Sequence, residues 1–490
     1  MRTLIGLDQS TQGTKAVLTD ETGRILHKCS LPHRQIVTPQ GWVSHDGEEI
    51  LQNVKAVLRQ VVVEAGVSPG EVAALGISNQ RETTIAWDRE TGAPADHAVV
   101  WQCARGEEIT REITDEGFLA QVRERTGIPL SPYFPAAKAA WLLRHSERAR
   151  ALARKGALCL GTMDSFLVHR LTEGAVFATD WSNASRTQLL DLHDLAWSRP
   201  ICERLGIPVE SLPGVRDSNG DFGATTLEGF FPRPVPIRGV LGDSHAALFG
   251  QGCIRPGQVK ATYGTGSSIM MNIGKTFKAS RSGLVTSLAW GMDGKVTYVL
   301  EGNINYAAAV VTWLQEIGLI RDPEETEALA RAANPEDETV LVPAFTGVGA
   351  PYWSDRARAA FLNMSRTTGR AELVRAGLES IAFQVADILA CMGEDAGLAL
   401  EELRVDGAPT ANGVLMQLQS DLTGAAVRVP GDRELSALGA ALMAGLAVGA
   451  ADEERWRGQE ARQVYTPQMA PEKRRQKLEN WRACVRSVLR

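Results

Sequence analysis

Leu4-Ile5-Gly6-Leu7-Asp8-Gln9-Ser10-Thr11-Gln12-Gly13-Thr14-Lys15-Ala16-Val17-Leu18 reads as an apolar strand, a polar turn and a second apolar strand. The turn carries the chemistry. Ser10, Thr11, Gly13 and Thr14 are small enough for backbone N–H groups and hydroxyls to approach an anion closely, and Lys15 adds a positive charge. Asp8, closing the first strand, is suited to hold Mg2+ through its waters. Strand, turn and strand alone describe any β-hairpin. The spacing is neither Gly-x-x-x-x-Gly-Lys-Ser/Thr nor a Gly-x-Gly-x-x-Gly opening a helix, so two common nucleotide loops are set aside.

What the stretch resembles is the phosphate loop of the actin-like, sugar-kinase ATPase fold. That resemblance implies a second loop half a chain later. Lys260 to Gly274 supplies one, as Ala261-Thr262-Tyr263-Gly264-Thr265-Gly266-Ser267-Ser268 followed by Ile269-Met270-Met271. Two such turns, about 250 residues apart, imply two related domains closing on one nucleotide. The expected fold is therefore α/β, with two ribonuclease-H-like (actin-like ATPase) domains and a cleft between them. Residues 1–250 would form the first and residues 251–490 the second.

Bulk properties agree with that size. A chain of 490 residues has room for two to four domains with their own cores. With 44% hydrophobic and 22% charged residues and a net charge of -6, nothing electrostatic attracts nucleic acid or an anionic membrane; small-molecule partners are expected. The seven cysteines show no CxxC pair and no His spacing suited to zinc, so neither disulfides nor a structural metal is expected. Met1 to Ser10 lacks the apolar run of a signal peptide. Leu435 to Ala451, rich in Ala and Gly and containing Ser436, reads as a close-packed buried helix and not as a membrane span. These readings place the protein in the cytoplasm.

Along the chain, Asp46 and Glu49 stand at capping-box spacing before a helix over 48–65, whose stripe is Ile50, Leu51, Val54, Val57, Leu58, Val61 and Val62. The strand Val72 to Ile77 stops at Ser78-Asn79-Gln80-Arg81-Glu82-Thr83-Thr84, polar residues at a strand's carboxyl end, where open α/β sheets bind ligands. A surface ion pair between Arg81 and Glu82 is the alternative. Val99-Val100-Trp101-Gln102 and Pro132-Tyr133-Phe134-Pro135-Ala136-Ala137-Lys138 bring aromatics that suit either a polyol or a core. Gly161 to Val168 and Ala178 to Thr187 are turn-rich and expected to line the first domain. At Val240-Leu241-Gly242-Asp243 an apolar strand ends on a carboxylate that is either a helix cap or a cleft-facing base. The second half predicts a hairpin turning at Asp293-Gly294, a helix over about 304–317, the segment Pro343 to Trp353, and a helix over about 371–392. A strand at 403–407 then leads through Gly407, Ala408 and Asn412 into a helix reaching Leu418, read as an adenosine cradle. An amphipathic packing helix over 472–490 closes the chain.

DQSTQGTK, NQRETT, VVWQC, PYFPAAK, GDSHAALFGQ, TYGTG, VPAFTGVGAPYW and LRVDGAPTANGVLMQLQSD together resemble the glycerol kinase branch of the FGGY carbohydrate kinase family, over nearly the whole chain and in the family's order. The resemblance implies transfer of the γ-phosphoryl group of ATP, with Mg2+, to a terminal hydroxyl of a small polyol, glycerol first. It implies Asp243 as general base, with Asp8 and Asp243 toward the metal. Arg81, Glu82, Trp101, Tyr133, Asp243, Ser244 and Ser268 would face the polyol. Thr11, Gln12, Gly13, Lys15, Gly264 and Thr265 would face phosphate, and Ala308, Thr312, Gly407, Ala408 and Asn412 the rest of the nucleotide. A homodimer or homotetramer is the family's habit.

Departures from the family pattern are specific. Ser244 and Ser268 stand where Gln and Phe are usual, which implies a roomier pocket and, as the alternative substrate class, erythritol, a pentitol, xylulose or ribulose. Lys15 replaces Arg, Ala308 replaces Gly, and Ala408-Pro409 replaces Gly-Ala. The Gly-Gly-x-Arg stretch tied to sugar-bisphosphate control in some bacterial relatives is missing around Phe230 to Pro236. Outside enzymes, the competing readings are an actin-like ATPase, which leaves Asp243, Arg81 and Glu82 unexplained, and a catalytically dead sugar sensor, against which the retained Asp8 and Asp243 argue.

Overall fold

The opening stretch folds as read: Thr3–Gln9 and Gly13–Asp20 pair antiparallel. In this computed structural model, which describes residues 2–432, 434–457 and 461–489, they sit inside a six-stranded sheet. Ile25–Pro32 extends the hairpin on one side. On the other, Val72–Asn79 and Val235–Gly242 add in parallel, and Ala224–Thr225 closes the edge antiparallel. Thr3–Gln9 lies between an antiparallel and a parallel neighbour with both faces covered, and six of its seven residues are buried.

The second half repeats this plan. Gln258–Tyr263 and Ser267–Gly274 pair antiparallel, Lys295–Ile304 and Val285–Met292 continue that side, and Glu402–Asp406 and Ala426–Val429 add in parallel on the other. Gln463–Tyr465 completes seven strands. The carboxyl ends of the parallel strands carry Asp8, the Ser78–Thr83 turn and Asp243 in one sheet, and Gly264 and Gly407 in the other.

Helices cover both sheets. Gly47–Glu64 buries the predicted stripe and is capped by Asp46, whose Oδ1 accepts the Glu48 N–H at 2.9 Å. The capping box expected with Glu49 does not form, because the Glu49 carboxylate accepts the Arg34 N–H instead, at 3.0 Å. Asp293 and Gly294 make the hairpin turn with φ of +53° and +74°. Arg370–Ala396 is long and apolar enough to cross a membrane, yet 83% of its apolar window is buried within the protein. Pro471–Val488 packs through Trp481, stacked on Phe383 at 5.1 Å; Arg490, which the reading included, lies outside the described residues. All seven cysteines are buried free thiols.

One boundary is corrected. The helix expected from about 304 begins at Ala308, because Ile304 still pairs with Ser267 in the sheet. The N–H groups of Ala307 and Ala309 then bond to the Thr265 carbonyl, and that of Ala308 to the Gly264 carbonyl, at 2.9–3.1 Å.

Chain order and packing part company at Leu435–Ala447. Although it follows the last parallel strand of the second sheet, this helix lies on the first sheet, against Thr3–Gln9, Val72–Asn79 and Val235–Gly242. Glycine makes the approach possible: a Cβ on Gly6 would sit 1.9 Å from the Ala437 carbonyl oxygen, and one on Gly76 2.0 Å from that of Ala440. The small residues read from sequence as close packing are used for that purpose.

Candidate active site

The polar turn after Val72–Asn79 is buried with its charges paired, which replaces the surface-ion-pair alternative: Arg81 is 6% exposed and Glu82 3%. Arg81 donates from both terminal nitrogens to Glu301, at 2.9 and 3.0 Å. Its Nε lies 3.3 Å from Asp243 and 3.6 Å from Glu82. Glu82 in turn accepts from the Nε of Arg186 at 2.8 Å, and Arg186 stands 2.9 Å from Glu301. Two guanidiniums and two carboxylates thus neutralise one another out of water. The opposing charges hold Arg81 protonated and Glu301 well below the usual carboxylate range.

Asp243 is the first residue of the helix Asp243–Gly250, with Gly242 at the cap position. Its Oδ1 accepts the Ser244 N–H at 2.6 Å, and 37% of its side-chain surface stays exposed. Burial pushes its carboxyl up, against the pull of Arg81. Asp8, which accepts from the Ser78 hydroxyl at 2.8 Å, is pushed up to about 6 by burial and then by Asp243. The two carboxylates therefore repel across a shared space. Behind Asp243, His245 is fully buried with its Nε2 3.3 Å from the Ser287 hydroxyl.

An aromatic wall adjoins the cluster. Trp101 and Tyr133 are half-buried, with ring centroids 5.4 Å apart. The Trp101 indole N–H donates to the Thr11 hydroxyl at 2.8 Å, which ties the wall to the turn between the first two strands. Lys138, buried in the first turn of Pro135–His145, donates to the Tyr133 carbonyl, and burial brings its pKa down to about 7. Ser268 donates to Glu301 at 3.3 Å, and Ser244 is half-buried beside Asp243.

The first turn keeps Thr11, Gln12 and Gly13 at least partly accessible, shaped by the Ser10 N–H bonding to the Gly13 carbonyl at 2.9 Å. Lys15 is not free: it is ion-paired with Glu434, which Lys28 also reaches at 2.9 Å. In the second turn Gly264 and Thr265 are exposed, with their carbonyls engaged by Ala307–Ala309. Ala308 and Thr312 follow on that helix, and Gly407 abuts the Tyr263 backbone so closely that a Cβ would lie 1.9 Å from its carbonyl oxygen. Ala408 is exposed next to it. Asn412 is largely committed, its oxygen capping Gly413–Thr423 through the Leu415 N–H at 3.0 Å and its amide donating to Thr326 at 3.0 Å.

Arg186 and Glu301 are the site residues that sequence reading missed. The signal for Glu301 was a single carboxylate in the apolar run Tyr298-Val299-Leu300-Glu301; Arg186 sat unremarked in a turn-rich segment.

Behind the first turn, His45 is fully buried, 4.5 Å from the His33 ring centroid, and burial holds its pKa down to about 3. Its Nδ1 faces the Gln80 amide nitrogen at 3.4 Å. Between pH 6.5 and 3 the unfolded chain takes up a proton that folded His45 refuses, so its contribution to stability is present above pH 6.5 and lost as pH falls. Urea unfolding of wild type and His45→Gln is expected to show their stability difference shifting by about 1–2 kcal/mol between pH 7 and pH 5, to the disadvantage of wild type. A constant difference would contradict it.

With this geometry in view, comparison with known proteins is direct. Residues 3–250 match the N-terminal domain, and residues 259–448 the C-terminal domain, of the FGGY family of carbohydrate kinases. Glycerol kinase 1 of Thermotoga maritima is 45% identical over 489 residues, covering 99% of both chains. The glycerol kinase of Brevibacillus brevis is 43% identical over 99% of this chain and 98% of its own. Among solved structures, Plasmodium falciparum glycerol kinase with ADP superposes with a TM-score of 0.95 at 33% identity, over 100% of this chain and 99% of that one. Gluconate kinase from Lactobacillus acidophilus shares the fold, with a TM-score of 0.88 at 21% identity over 100% of this chain and 98% of that one. The chain belongs to the FGGY family of carbohydrate kinases.

Proposed function

We propose that this protein transfers the γ-phosphoryl group of ATP to a terminal hydroxyl of glycerol, giving glycerol 3-phosphate and ADP. The observation that carries the reading is the buried Arg81–Glu82–Arg186–Glu301 cluster opening on Asp243 beside an aromatic wall that is bonded to the first phosphate turn. Relatives named glycerol kinases at 40–45% identity over the full length support the substrate.

Asp243 accepts the proton of the attacking hydroxyl as its oxygen bonds to phosphorus and the bond to the ADP oxygen breaks. Arg81 Nε donates to one hydroxyl and Glu82 accepts from its neighbour, while Trp101 and Tyr133 cover the C–H face and Ser244 and Ser268 complete the pocket. Thr11, Gln12, Gly13, Lys15, Gly264 and Thr265 receive the phosphates; Lys15 would exchange part of its pairing with Glu434 for them. Ala308, Thr312, Gly407, Ala408 and the free edge of Asn412 border the adenosine. Asp8 and Asp243 fit a magnesium ion, because their mutual repulsion is what a hard divalent cation relieves, and one or two carboxylates plus substrate phosphates are its usual company. When bound, it neutralises charge on the phosphates. Residues 1–250 and 251–490 are proposed as the two closing bodies, with the helix Leu435–Ala447 moving with the first. The cytoplasm is the proposed location.

A coupled ADP-release assay across glycerol, erythritol, threitol, xylitol, ribitol, xylulose, ribulose and dihydroxyacetone tests the reading. Glycerol is expected to give the highest kcat/KM. One observation favours a second reading: Ser268 bonds to Glu301 where a Phe ring is usual, which leaves volume for a fourth or fifth carbon. A ring there contributes about 1–3 kcal/mol, so Ser268→Phe is expected to raise the preference for glycerol over five-carbon substrates by about tenfold or more. A five-carbon compound winning in wild type would move the assignment to that class.

A further inference from the structure

Glu301 belongs to the second sheet, on Lys295–Ile304, yet its carboxylate is spent on the first half of the chain. Both oxygens accept from Arg81, Arg186 stands 2.9 Å from one of them, and the remaining contact is the Ser268 hydroxyl. The side chain is 1% exposed. Arg81 therefore has both terminal nitrogens committed across the boundary between the halves. Only its Nε edge is left to face Asp243 and Glu82. A guanidinium is a planar fork, so fixing two of its nitrogens fixes the direction of the third.

Arg186 makes the arrangement more than one ion pair. It contacts Glu82 through Nε and Glu301 through Nη1, so the two carboxylates are linked to each other through Arg186 as well as through Arg81. A shift of the second sheet relative to the first would turn Arg81 and loosen Glu82 together.

We propose that Glu301 is a positioning residue for the polyol. Contributed by the half that holds the second phosphate turn, it orients Arg81 so that the hydroxyl-binding edge is assembled only when the two halves are in register. The inference rests on the polyol-kinase reading above and adds that the orientation of Arg81, itself in the first half, depends on a carboxylate of the second, with the ATP subsite independent of this contact.

The test is Glu301→Gln, which keeps shape and removes the charge, beside Glu301→Asp, which keeps the charge one methylene shorter. Glycerol and ATP are varied separately in the coupled assay on the full-length enzyme. Glu301→Gln is expected to raise the glycerol KM at least tenfold while the ATP KM stays within about twofold, with Glu301→Asp between the two. A glycerol KM within twofold of wild type, or equal rises in both KM values, overturns the proposal. Should the variants fail to fold, hydrogen exchange on the wild type decides: glycerol is expected to slow exchange in residues 79–83 and 299–303 together, and protection of 79–83 alone overturns it. Wild type that turns over no polyol would reject the kinase reading itself, a result distinct from an active enzyme with unaltered Glu301 variants.

Discussion

Asp243→Asn is expected to lower kcat by about three orders of magnitude, within the ~10²–10⁴-fold typical of a lost general base. Asn keeps the size of the side chain and can still accept the Ser244 N–H, so the start of the helix Asp243–Gly250 is preserved. What it loses is basicity. Burial raises the Asp243 carboxyl above its ordinary value, which makes the ionised form a better proton acceptor, while contact with Arg81 limits that rise. The checks are kcat in the coupled assay and glycerol binding by calorimetry. Binding retained within about tenfold and turnover lost places Asp243 at the chemical step; a loss of kcat below tenfold would remove it from that role.

Arg186→Met should be the costliest single change to stability among the site residues. Arg186 is 2% exposed and faces both Glu82 and Glu301. Removing one partner from a buried ion pair leaves the other charge uncompensated and costs about 3–5 kcal/mol. Urea unfolding would read it directly. Because replacing both partners of a buried pair by apolar groups is often nearly neutral, Arg186→Met/Glu82→Leu is expected to regain part of that stability without regaining glycerol turnover. A single variant as stable as wild type would mean that water already reaches the cluster.

Local features carried most of the reading. The apolar runs and small-residue turns at 4–18 and 260–274 were legible because neighbours in sequence set them, and the Asp46 cap is an interaction over two residues. Where a distant group competed, the reading slipped. Glu49 was drawn away by the Arg34 N–H, and the helix over 304–317 started late because Ile304 belongs to a strand paired with Ser267. Lys15 was read as free for phosphate, and no local pattern discloses that Glu434 lies beside it.

The sequence by itself determined two strand–turn–strand hairpins in equivalent places, an α/β chain built twice on one plan, and Arg81, Glu82 and Asp243 at strand ends. Those follow from short apolar runs that stop at polar turns, from period-3.6 patterning and from the backbone freedom of small residues, which act over a few positions. The tertiary structure alone decided that Arg81 meets Glu301 across 220 residues and Glu82 meets Arg186 across 104. It also decided that the helix Leu435–Ala447 returns to the first sheet. An ion pair has no periodicity, and its partner is chosen by which charges the packed sheets take out of water together.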